Sequence, residues 1–232
     1  AVDSSNTVEG AVPMVGLDGT LYVIWTGPQG IMMDRSDDGG QTFGEDSHIA
    51  DHVGGWDIPV SHLGRANGFP VPAMDRSNGA NRGRIYVTWV DRRNGDLNIY
   101  LSWSDDKGQT WSDPKLVNQN AGDGIQFFTW MAVDPRDGSV NIAYLDRSGL
   151  RGSQTRITLA RSVDGGRSFD HYKLEETVFN TNSELFFGDY IGLDAVDGRV
   201  AIGYTHFKSP KELGLSAAVF QFKPGTQQLL NP

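Results

Sequence analysis

Cysteine is absent from the 232-residue chain. Its absence excludes disulfides, thiolate catalysis and zinc sites built on cysteine, and it leaves the redox compartment open. The sequence also lacks any apolar run of about eighteen residues, so no segment is a candidate for a transmembrane helix. The net charge is −9 without any block of like charges. That balance argues against nucleic acid or an anionic membrane surface as a partner.

Motifs for several kinds of site are missing as well. No glycine-rich phosphate loop joins a strand to a helix, and no Gly-x-Ser-x-Gly elbow is present. The five histidines form no H-x-x-x-H zinc pattern on a helix, because His48 and His52 lie in a turn-rich stretch. The sequence therefore requires no cofactor. Calcium (Ca2+) bound by aspartate and backbone oxygens in loops stays open.

Glycine and aromatic residues are abundant by contrast. There are 29 glycines, and six Trp, seven Tyr and eleven Phe are spread among many short turn signals. This profile favours an all-β domain over a helical one. The length suffices for one sizeable domain with its own core.

An octapeptide of the pattern S-x-D-x-G-x-[TS]-[FW] occurs three times, and such repetition is typical of propellers and solenoids. In each copy we expect the Asp side chain to accept hydrogen bonds from its own turn, and the Gly to adopt a conformation that other residues resist. The closing aromatic is expected to pack under the hairpin. The defining positions are Ser36, Asp38, Gly40, Thr42 and Phe43; Ser104, Asp106, Gly108, Thr110 and Trp111; and Ser162, Asp164, Gly166, Ser168 and Phe169.

Two strand-like segments precede each octapeptide, and a fourth unit repeats the pattern without it. The expected strands are Ala11–Leu17, Leu21–Trp25 and Gly30–Phe43; Pro70–Met74, Arg84–Trp89 and Leu97–Trp111; Phe128–Val133, Val140–Tyr144 and Arg156–Phe169; and Tyr190–Ala195, Arg199–Tyr204 and Leu215–Phe222, with short outer strands at Lys115–Val117 and His171–Leu174. The sequence thus predicts an all-β fold, a β-propeller with four four-stranded antiparallel blades. They form one domain over 1–232, with blades at about 8–55, 66–120, 125–176 and 186–232.

The octapeptide resembles the Asp box, and the chain resembles the Asp-box (BNR-repeat) sialidase-like propeller superfamily. From Val8 onward it is similar to the C-terminal half of secreted bacterial sialidase-like proteins. The resemblance implies that the boxes are folding staples on the outer rim. It also implies a secreted, periplasmic or cell-surface location. Three further blades, for a total of seven, or a second chain would complete the ring, and Ala1–Asp3 is the only candidate for an extra strand before the first blade.

Sialidases bind the substrate carboxylate with three arginines, and they use a Tyr–Glu nucleophile pair and an Asp acid. Their Phe-Arg-Ile-Pro motif matches Phe69-Pro70-Val71-Pro72 here, with Pro70 in place of the arginine. Glu9, Asp96 and Tyr190 match the catalytic groups loosely. No arginine stands at its expected position, so a carboxylate-bearing sugar would lack its charge partners. The resemblance therefore implies a sialidase-like scaffold rather than a true sialidase.

Ligands of propellers bind where the inner strands begin, at one mouth of the central channel. The catalytic candidates there are Glu9, Asp96, Asp189 and Tyr190. The substrate-binding candidates are Arg92, Arg93, Gln126, Trp130, Arg147 and His206, with the arginines positioning an anionic sugar. The competing interpretation is structural. The recurring Asp91-Arg92 and Asp146-Arg147 pairs would be ion pairs or turns, and the aromatic residues would fill the channel wall.

Two functions follow from these residues. The first is a secreted propeller that acts on or binds glycans, by glycoside hydrolase-like chemistry with two carboxylates or by polysaccharide lyase-like elimination. The second is a non-catalytic glycan- or protein-binding module of an extracellular assembly. The fold alone does not decide between them.

Overall fold

The computed structural model describes residues 8–119, 122 and 124–231. Ala1–Asp3 lies outside the described residues. The predicted all-β propeller architecture is confirmed, with four antiparallel sheets that follow one another along the chain. A 3₁₀ turn at Glu175–Thr177 is the one helical element in the described ranges.

The first sheet is blade 1 and the second is blade 2. Blade 1 contains β1 (Glu9–Val15), β2 (Leu21–Gly27), β3 (Gly30–Ser36) and β4 (Ser47–Ala50). A separate hairpin of β5 (Asp57–Val60) and β6 (Gly64–Asn67) follows. Blade 2 contains β7 (Val71–Met74), β8 (Ile85–Asn94), β9 (Asp96–Ser104) and β10 (Lys115–Leu116). Neighbouring strands within each blade are consecutive in sequence, which is the up-and-down order of a propeller blade.

Blades 3 and 4 complete the described chain. Blade 3 contains β11 (Gln126–Val133), β12 (Val140–Asp146), β13 (Gln154–Ser162) and β14 (Asp170–Lys173), and β15 (Phe179–Asn180) pairs with β13 beside β14. Blade 4 contains β16 (Gly192–Val196), β17 (Arg199–Ser209), β18 (Glu212–Phe222) and β19 (Leu229–Asn231). The hairpin of β17 and β18 is longer than the sequence pattern indicates, because pairing continues to Ser209 and Glu212.

The first strand of each blade faces a central channel. Contacts join β1 to β7, β7 to β11, and β11 to β16. An open cavity of about 450 Å³ is lined by residues of all four strands, including Met14, Ala73, Met131 and Asp194. The blades pack face to face: one apolar cluster lies between blades 1 and 2, and a second runs from the β5–β6 hairpin through blades 2, 3 and 4. The inner strands therefore all begin at one end of the channel, here called the mouth.

The three octapeptides form nearly identical turns after the third strand of blades 1, 2 and 3. In the second copy, Oδ1 of Asp106 accepts a hydrogen bond from the backbone N–H of Thr110 at 2.8 Å, and Oδ2 accepts one from the Thr110 hydroxyl at 2.6 Å. These bonds lower the pKa of Asp106 to about 2. The backbone N–H of Gly108, at φ +83°, donates to the Ser104 hydroxyl at 2.8 Å. The equivalent bonds recur in the other two copies.

The closing aromatic residue behaves differently among the copies. Trp111 and Phe169 pack against the two core clusters as expected. Phe43 does not, because it is 41% exposed. The turns lie at the end of the channel opposite the mouth, since Ser36 pairs with Leu21, which in turn pairs with the last residue of β1, Val15.

The β5–β6 hairpin occupies the stretch left between the first two predicted blades. Its buried side chains, Ile58, Val60 and Ala66, join the core cluster of blades 2, 3 and 4. Alternation along β5 makes this possible, because Ile58 and Val60 are buried while Asp57 and Pro59 are exposed. The hairpin lies against the mouth, where it contacts the beginning of β11.

Candidate functional site at the channel mouth

Two inner strands carry β-bulges at the mouth. The register of β1 shifts between Glu9 and Val12, with Gly10 at φ +65°. The register of β11 shifts between Phe127 and Trp130, with Phe128 at φ +51°. A positive φ is uncommon for a bulky residue, and a bulge is the local cause here. Bulges of this kind redirect side chains at the ends of inner strands, so both blades present altered faces at the mouth.

Aromatic residues close the side of the mouth formed by blades 3 and 4. The ring of Phe128 stacks on Phe187 at 6.0 Å between centroids. Phe187 in turn stacks on Phe179 at 6.0 Å and on Phe207 at 5.6 Å. All four rings are buried. This side of the mouth is therefore a packed core, and a ligand would bind outside it.

A charged and aromatic cluster lies on the surface beside this core. Nη2 of Arg65, on β6, is 2.8 Å from Oδ1 of Asp189, which precedes β16. The guanidinium carbon of Arg65 lies 5.7 Å from the ring centroids of both Trp56 and Phe186. The side-chain amide of Asn67 also donates to the backbone oxygen of Asp189. We call Trp56, Arg65, Phe186 and Asp189 the Arg65 cluster.

Tyr190 and Trp130 extend the cluster toward the channel. Their ring centroids are 6.1 Å apart, and Tyr190 is 72% exposed. Trp130 lies on the same face of β11 as Ala132, two residues further on, and Ala132 lines the channel cavity. The pair therefore lies on the channel wall next to the Arg65 cluster, and it presents aromatic surface to solvent.

Glu9 and Asp96 are exposed at the same end of the molecule. Glu9 begins β1 opposite Thr26, and the following Gly10 packs against the ring of Phe69. Phe69 stacks on Trp56 at 6.0 Å, which connects β1 to the Arg65 cluster. Asp96 lies in the tight turn between β8 and β9. Within the described ranges, no hydrogen bond joins the carboxylates of Glu9 or Asp96 to each other or to Tyr190.

The arginines of the β8–β9 turn bind partners within the protein. Arg93 forms an ion pair with the fully buried Asp91, with Nε of Arg93 3.0 Å from Oδ1, and its guanidinium lies 4.6 Å from the Tyr100 ring centroid. Arg92 donates from its backbone to Val53 and from Nη2 to the backbone oxygen of Pro59 at 2.9 Å. Asp91 thus pairs with Arg93 rather than with Arg92. Arg92 instead binds the β5–β6 hairpin.

Arg147 is buried and links the hairpin to blade 3. Its guanidinium donates to the backbone oxygen of Ser61 at 2.9 Å and to the hydroxyls of Thr155 at 3.0 Å and Thr181 at 2.6 Å. Burial lowers the pKa of Arg147 to about 10. Its neighbour Asp146 pairs with Arg156 rather than with Arg147. These contacts give Arg147 a packing role, so we leave it out of the site.

Gln126 and His206 are also held inside the fold. Gln126 is buried and donates from Nε2 to Oδ1 of Asp146 at 3.1 Å. The His206 ring lies between those of Tyr204 and Phe179, at 6.1 and 6.2 Å. Of the ten predicted catalytic and binding residues, Asp189, Tyr190 and Trp130 come together around the Arg65 cluster.

Trp56, Arg65 and Phe186 belong to the cluster but were not predicted from the sequence. Arg65 and Asp189 are far apart in sequence, and only folding of the β5–β6 hairpin onto blade 4 brings them together. The alternation of Asp57, Ile58, Pro59 and Val60 was the available signal for that hairpin. No pattern in the sequence indicated that Arg65 on this hairpin would pair with Asp189.

Neither a metal site nor a membrane-crossing helix is found in the described part of the chain. None of its His, Asp and Glu side chains gather in groups of three or more that could hold a metal ion. Calcium therefore stays a prediction. No helix among the described residues is long and apolar enough to cross a membrane.

Comparison with known proteins identifies the fold. No family model matches the sequence, and no curated protein matches it. A protein of unknown function from Dyadobacter fermentans is 20% identical, with 91% of this chain and 60% of that chain covered and a TM-score of 0.57. The Hadza microbial sialidase Hz136 is 16% identical, with 92% and 44% covered and a TM-score of 0.60. The α-L-arabinofuranosidase Arb93A from Fusarium graminearum is 16% identical, with 93% and 62% covered and a TM-score of 0.57.

This chain spans less than two thirds of the length of each of these structures. At such identities the similarity concerns the fold and not the residues of the site. The chain shares the propeller fold found in sialidases and in an arabinofuranosidase.

Proposed function

We propose that this protein binds glycans at the channel mouth, on the Arg65 cluster and the neighbouring Trp130–Tyr190 pair. The observation that carries the proposal is the exposed aromatic surface beside a paired charge: Phe186 is 67% and Tyr190 is 72% exposed. Flat aromatic faces pack against the apolar faces of sugar rings, and adjacent polar groups orient the hydroxyls. The exposed edges of Arg65 and Asp189 offer both donors and an acceptor for that purpose.

Binding fits the geometry better than hydrolysis does. A glycosidase of the usual kind needs two carboxyl groups, about 5–10 Å apart, on either side of the scissile bond. Asp189 lies between Phe186 and Tyr190 in the chain, and its carboxylate is already paired with Arg65. Glu9 and Asp96 form no hydrogen bond with Tyr190 within the described ranges. We therefore propose a glycan-binding propeller that is not a true sialidase, with glycoside hydrolase activity as the alternative outcome of the test.

Location and family membership belong to the same proposal. The three octapeptide turns have the hydrogen-bond pattern expected of Asp boxes, with the Asp carboxylate accepting from a backbone N–H and a hydroxyl four residues later. We propose that the chain is a secreted bacterial Asp-box propeller and meets its glycan outside the cytoplasm. The absence of cysteine is compatible with that location.

The test is titration calorimetry against a panel of neutral and acidic oligosaccharides. Tyr190→Ala and Phe186→Ala should each weaken binding by about 2-fold to 10-fold, the range of about 0.5–1.5 kcal/mol for one aromatic contact. Phe43→Ala is the matched control, since Phe43 is also an exposed aromatic residue but lies at the opposite end of the channel. Equal losses in all three variants, or no binding by the wild-type protein, would refute the site. Release of sugar from any ligand would favour the enzyme.

A second candidate, a structural module of a larger assembly, rests on the free face of blade 4. On β18, Leu215 is 80% and Val219 is 61% exposed. Val219 pairs across the sheet with the exposed Ala201, so a strip of small and apolar residues runs along this face. We propose that a further sheet covers it, from additional blades of a seven-bladed ring or from a second chain.

Native mass spectrometry tests this second candidate. The 25.4 kDa chain should self-associate or bind separately produced additional blades, and Val219→Lys should abolish that association while leaving the fold intact. Lys173→Glu changes an exposed residue of blade 3 and serves as the control. A chain that stays monomeric and does not bind separately produced blades would contradict the assembly.

A further inference from the structure

We propose that the mouth site selects uncharged sugars over carboxylated ones, and that Asp189 sets this selectivity by occupying the guanidinium of Arg65. The inference rests on the proposed glycan-binding function and names the ligand class of that site. It differs from the expectation that arginines at the mouth position an anionic sugar.

The guanidinium of Arg65 is already paired with a carboxylate of the protein. Its Nη2 lies 2.8 Å from Oδ1 of Asp189, and the two side chains are only 37% and 29% exposed. Trp56 and Phe186 contact the same guanidinium. A ligand carboxylate would have to compete with Asp189 for a cation that is already neutralised and held in place. A sugar hydroxyl faces no such competition, because it can donate to the free oxygen of Asp189 or accept from the free edge of Arg65.

The other arginines near the inner strands also have partners within the protein. Arg93 is paired with Asp91, Arg92 donates to the backbone of Pro59, and Arg147 is buried among three oxygen acceptors. Bidentate pairing with a free guanidinium is the strong mode of carboxylate recognition in proteins. In the part of the chain that the structure describes, the guanidinium of each of these three arginines, like that of Arg65, already donates to an oxygen of the protein.

The charged side chains exposed at the mouth end also matter for the choice of ligand. Glu9 is an exposed carboxylate on the first inner strand, and Asp189 is partly exposed. Glu9 disfavours a second anion nearby, whereas the charge of Asp189 is offset by Arg65. Three exposed cations at this end, Arg151, Lys208 and Lys211, lie in or beside the turns between the second and third strands of blades 3 and 4, and not on the inner strands. Lys208 is also paired with Glu212 at 3.5 Å.

Asp189→Asn is the informative change. It removes one negative charge with almost no change in shape, and it leaves the hydrogen bond from Asn67 to the backbone of residue 189 in place. The Arg65 guanidinium then keeps its aromatic contacts but loses its counter-ion. A ligand carboxylate can then pair with the exposed edge of a guanidinium whose charge is no longer offset, whereas a neutral sugar gains nothing from the change.

The experiment uses matched ligand pairs: lactose against sialyllactose, and galactose oligomers against galacturonic acid oligomers of equal length. Titration calorimetry at low ionic strength gives the affinity ratio of neutral to acidic ligand for each protein. The wild-type protein should prefer the neutral member of the pair that it binds. Asp189→Asn should lower that ratio by about 2-fold to 5-fold, as expected for one partly exposed charge pair. Glu184→Gln removes an equal charge from the same connecting segment and should leave the ratio unchanged.

Arg65→Gln keeps the proposal testable if Asp189→Asn does not fold. With the guanidinium gone and Asp189 unpaired, the preference for neutral ligands should be kept or increased. A selective loss of the acidic ligand would instead show that Arg65 is a carboxylate receptor, and it would overturn the inference. So would a wild-type preference for the acidic ligand, or an unchanged ratio in Asp189→Asn. Failure of the wild-type protein to bind any member of either pair would refute the glycan-binding function, and the selectivity with it.

Discussion

Replacing Arg147 with methionine separates a packing role of this arginine from a role in ligand contact. Methionine keeps most of the apolar stem, so the change removes mainly the guanidinium. Three acceptors then lose their donor: the backbone oxygen of Ser61 and the hydroxyls of Thr155 and Thr181. Both hydroxyls still have the Ser153 carbonyl as an acceptor, so each loses only the bond that it accepted.

The magnitude follows from two opposing effects. Three hydrogen bonds at about 1 kcal/mol each would stabilise the fold by about 3 kcal/mol. Burial of a cation works against this, and burial is the only cause of the lowered pKa of Arg147, with no contribution from a carboxylate. We therefore expect a net loss of about 2 kcal/mol in the free energy of unfolding. For a chain of this length that lowers the melting temperature by about 4–8 °C.

Urea and thermal unfolding monitored by circular dichroism measure the effect. Arg151→Met is the control, because Arg151 is exposed four residues further along the same segment, and a surface change of this kind should cost less than about 0.5 kcal/mol. An Arg147→Met protein that is as stable as wild type but no longer binds glycan would refute the reasoning. It would show that the guanidinium reaches the ligand instead of holding the β5–β6 hairpin.

Three further predictions concern the scaffold. The pKa of Asp106 is lowered in the folded state to about 2 from an ordinary value of 3.8. Its contribution to stability is therefore complete above about pH 3.8 and is lost as pH falls toward 2, and Asp106→Asn should flatten this part of a pH–stability curve. Gly166→Ala should cost more stability than Gly39→Ala in chemical unfolding. Both glycines have positive φ, but a Cβ at Gly166 would lie 2.8 Å from the Leu101 side chain, whereas one at Gly39 meets nothing within 4 Å. His52 is half-buried between blades 1 and 2, where its ring nitrogens bond to Thr26 and to the backbone oxygen of Val90. Loss of solvent lowers its pKa below 6.5, so the fold should lose stability as pH falls below about 6.5, and His52→Gln should remove that dependence.

Most of the scaffold could be predicted from the sequence because its signals are local. The octapeptide encodes its own turn: the Asp and the residue four positions later bond to each other, and no distant partner is needed. The alternation of buried and more exposed positions along β16 and β17 is likewise set by residues close together in the chain. Phe43 shows the limit of this reasoning, because packing of the closing aromatic depends on what lies beneath the turn. Within the described ranges, Phe43 is not covered well enough to be buried, since it is 41% exposed.

The site was less predictable because its contacts cross between blades. Asp189 and Tyr190 were identified from their position at the start of an inner strand, which is a local feature. The ion pair of Asp189 was not predicted, since its partner Arg65 lies on a hairpin that precedes blade 2. The partners of Arg92 and Arg147 depend on the same hairpin, through Pro59 and Ser61. One unpredicted element thus explains why two of the three arginines proposed for ligand binding are engaged within the protein.

The β5–β6 hairpin therefore has two consequences that depend on each other. Its backbone oxygens accept hydrogen bonds from the guanidiniums of Arg92 and Arg147, so both side chains are held against the hairpin. It also supplies Arg65 and Asn67, which hold the side chain and the backbone of Asp189 in place. A ligand at the mouth then meets fixed aromatic rings and a neutral ion pair rather than a field of free cations. If the hairpin were displaced, Arg92 and Arg147 would lose these contacts and Asp189 would lose Arg65, so the preference for uncharged sugars should be lost together with the order of the site.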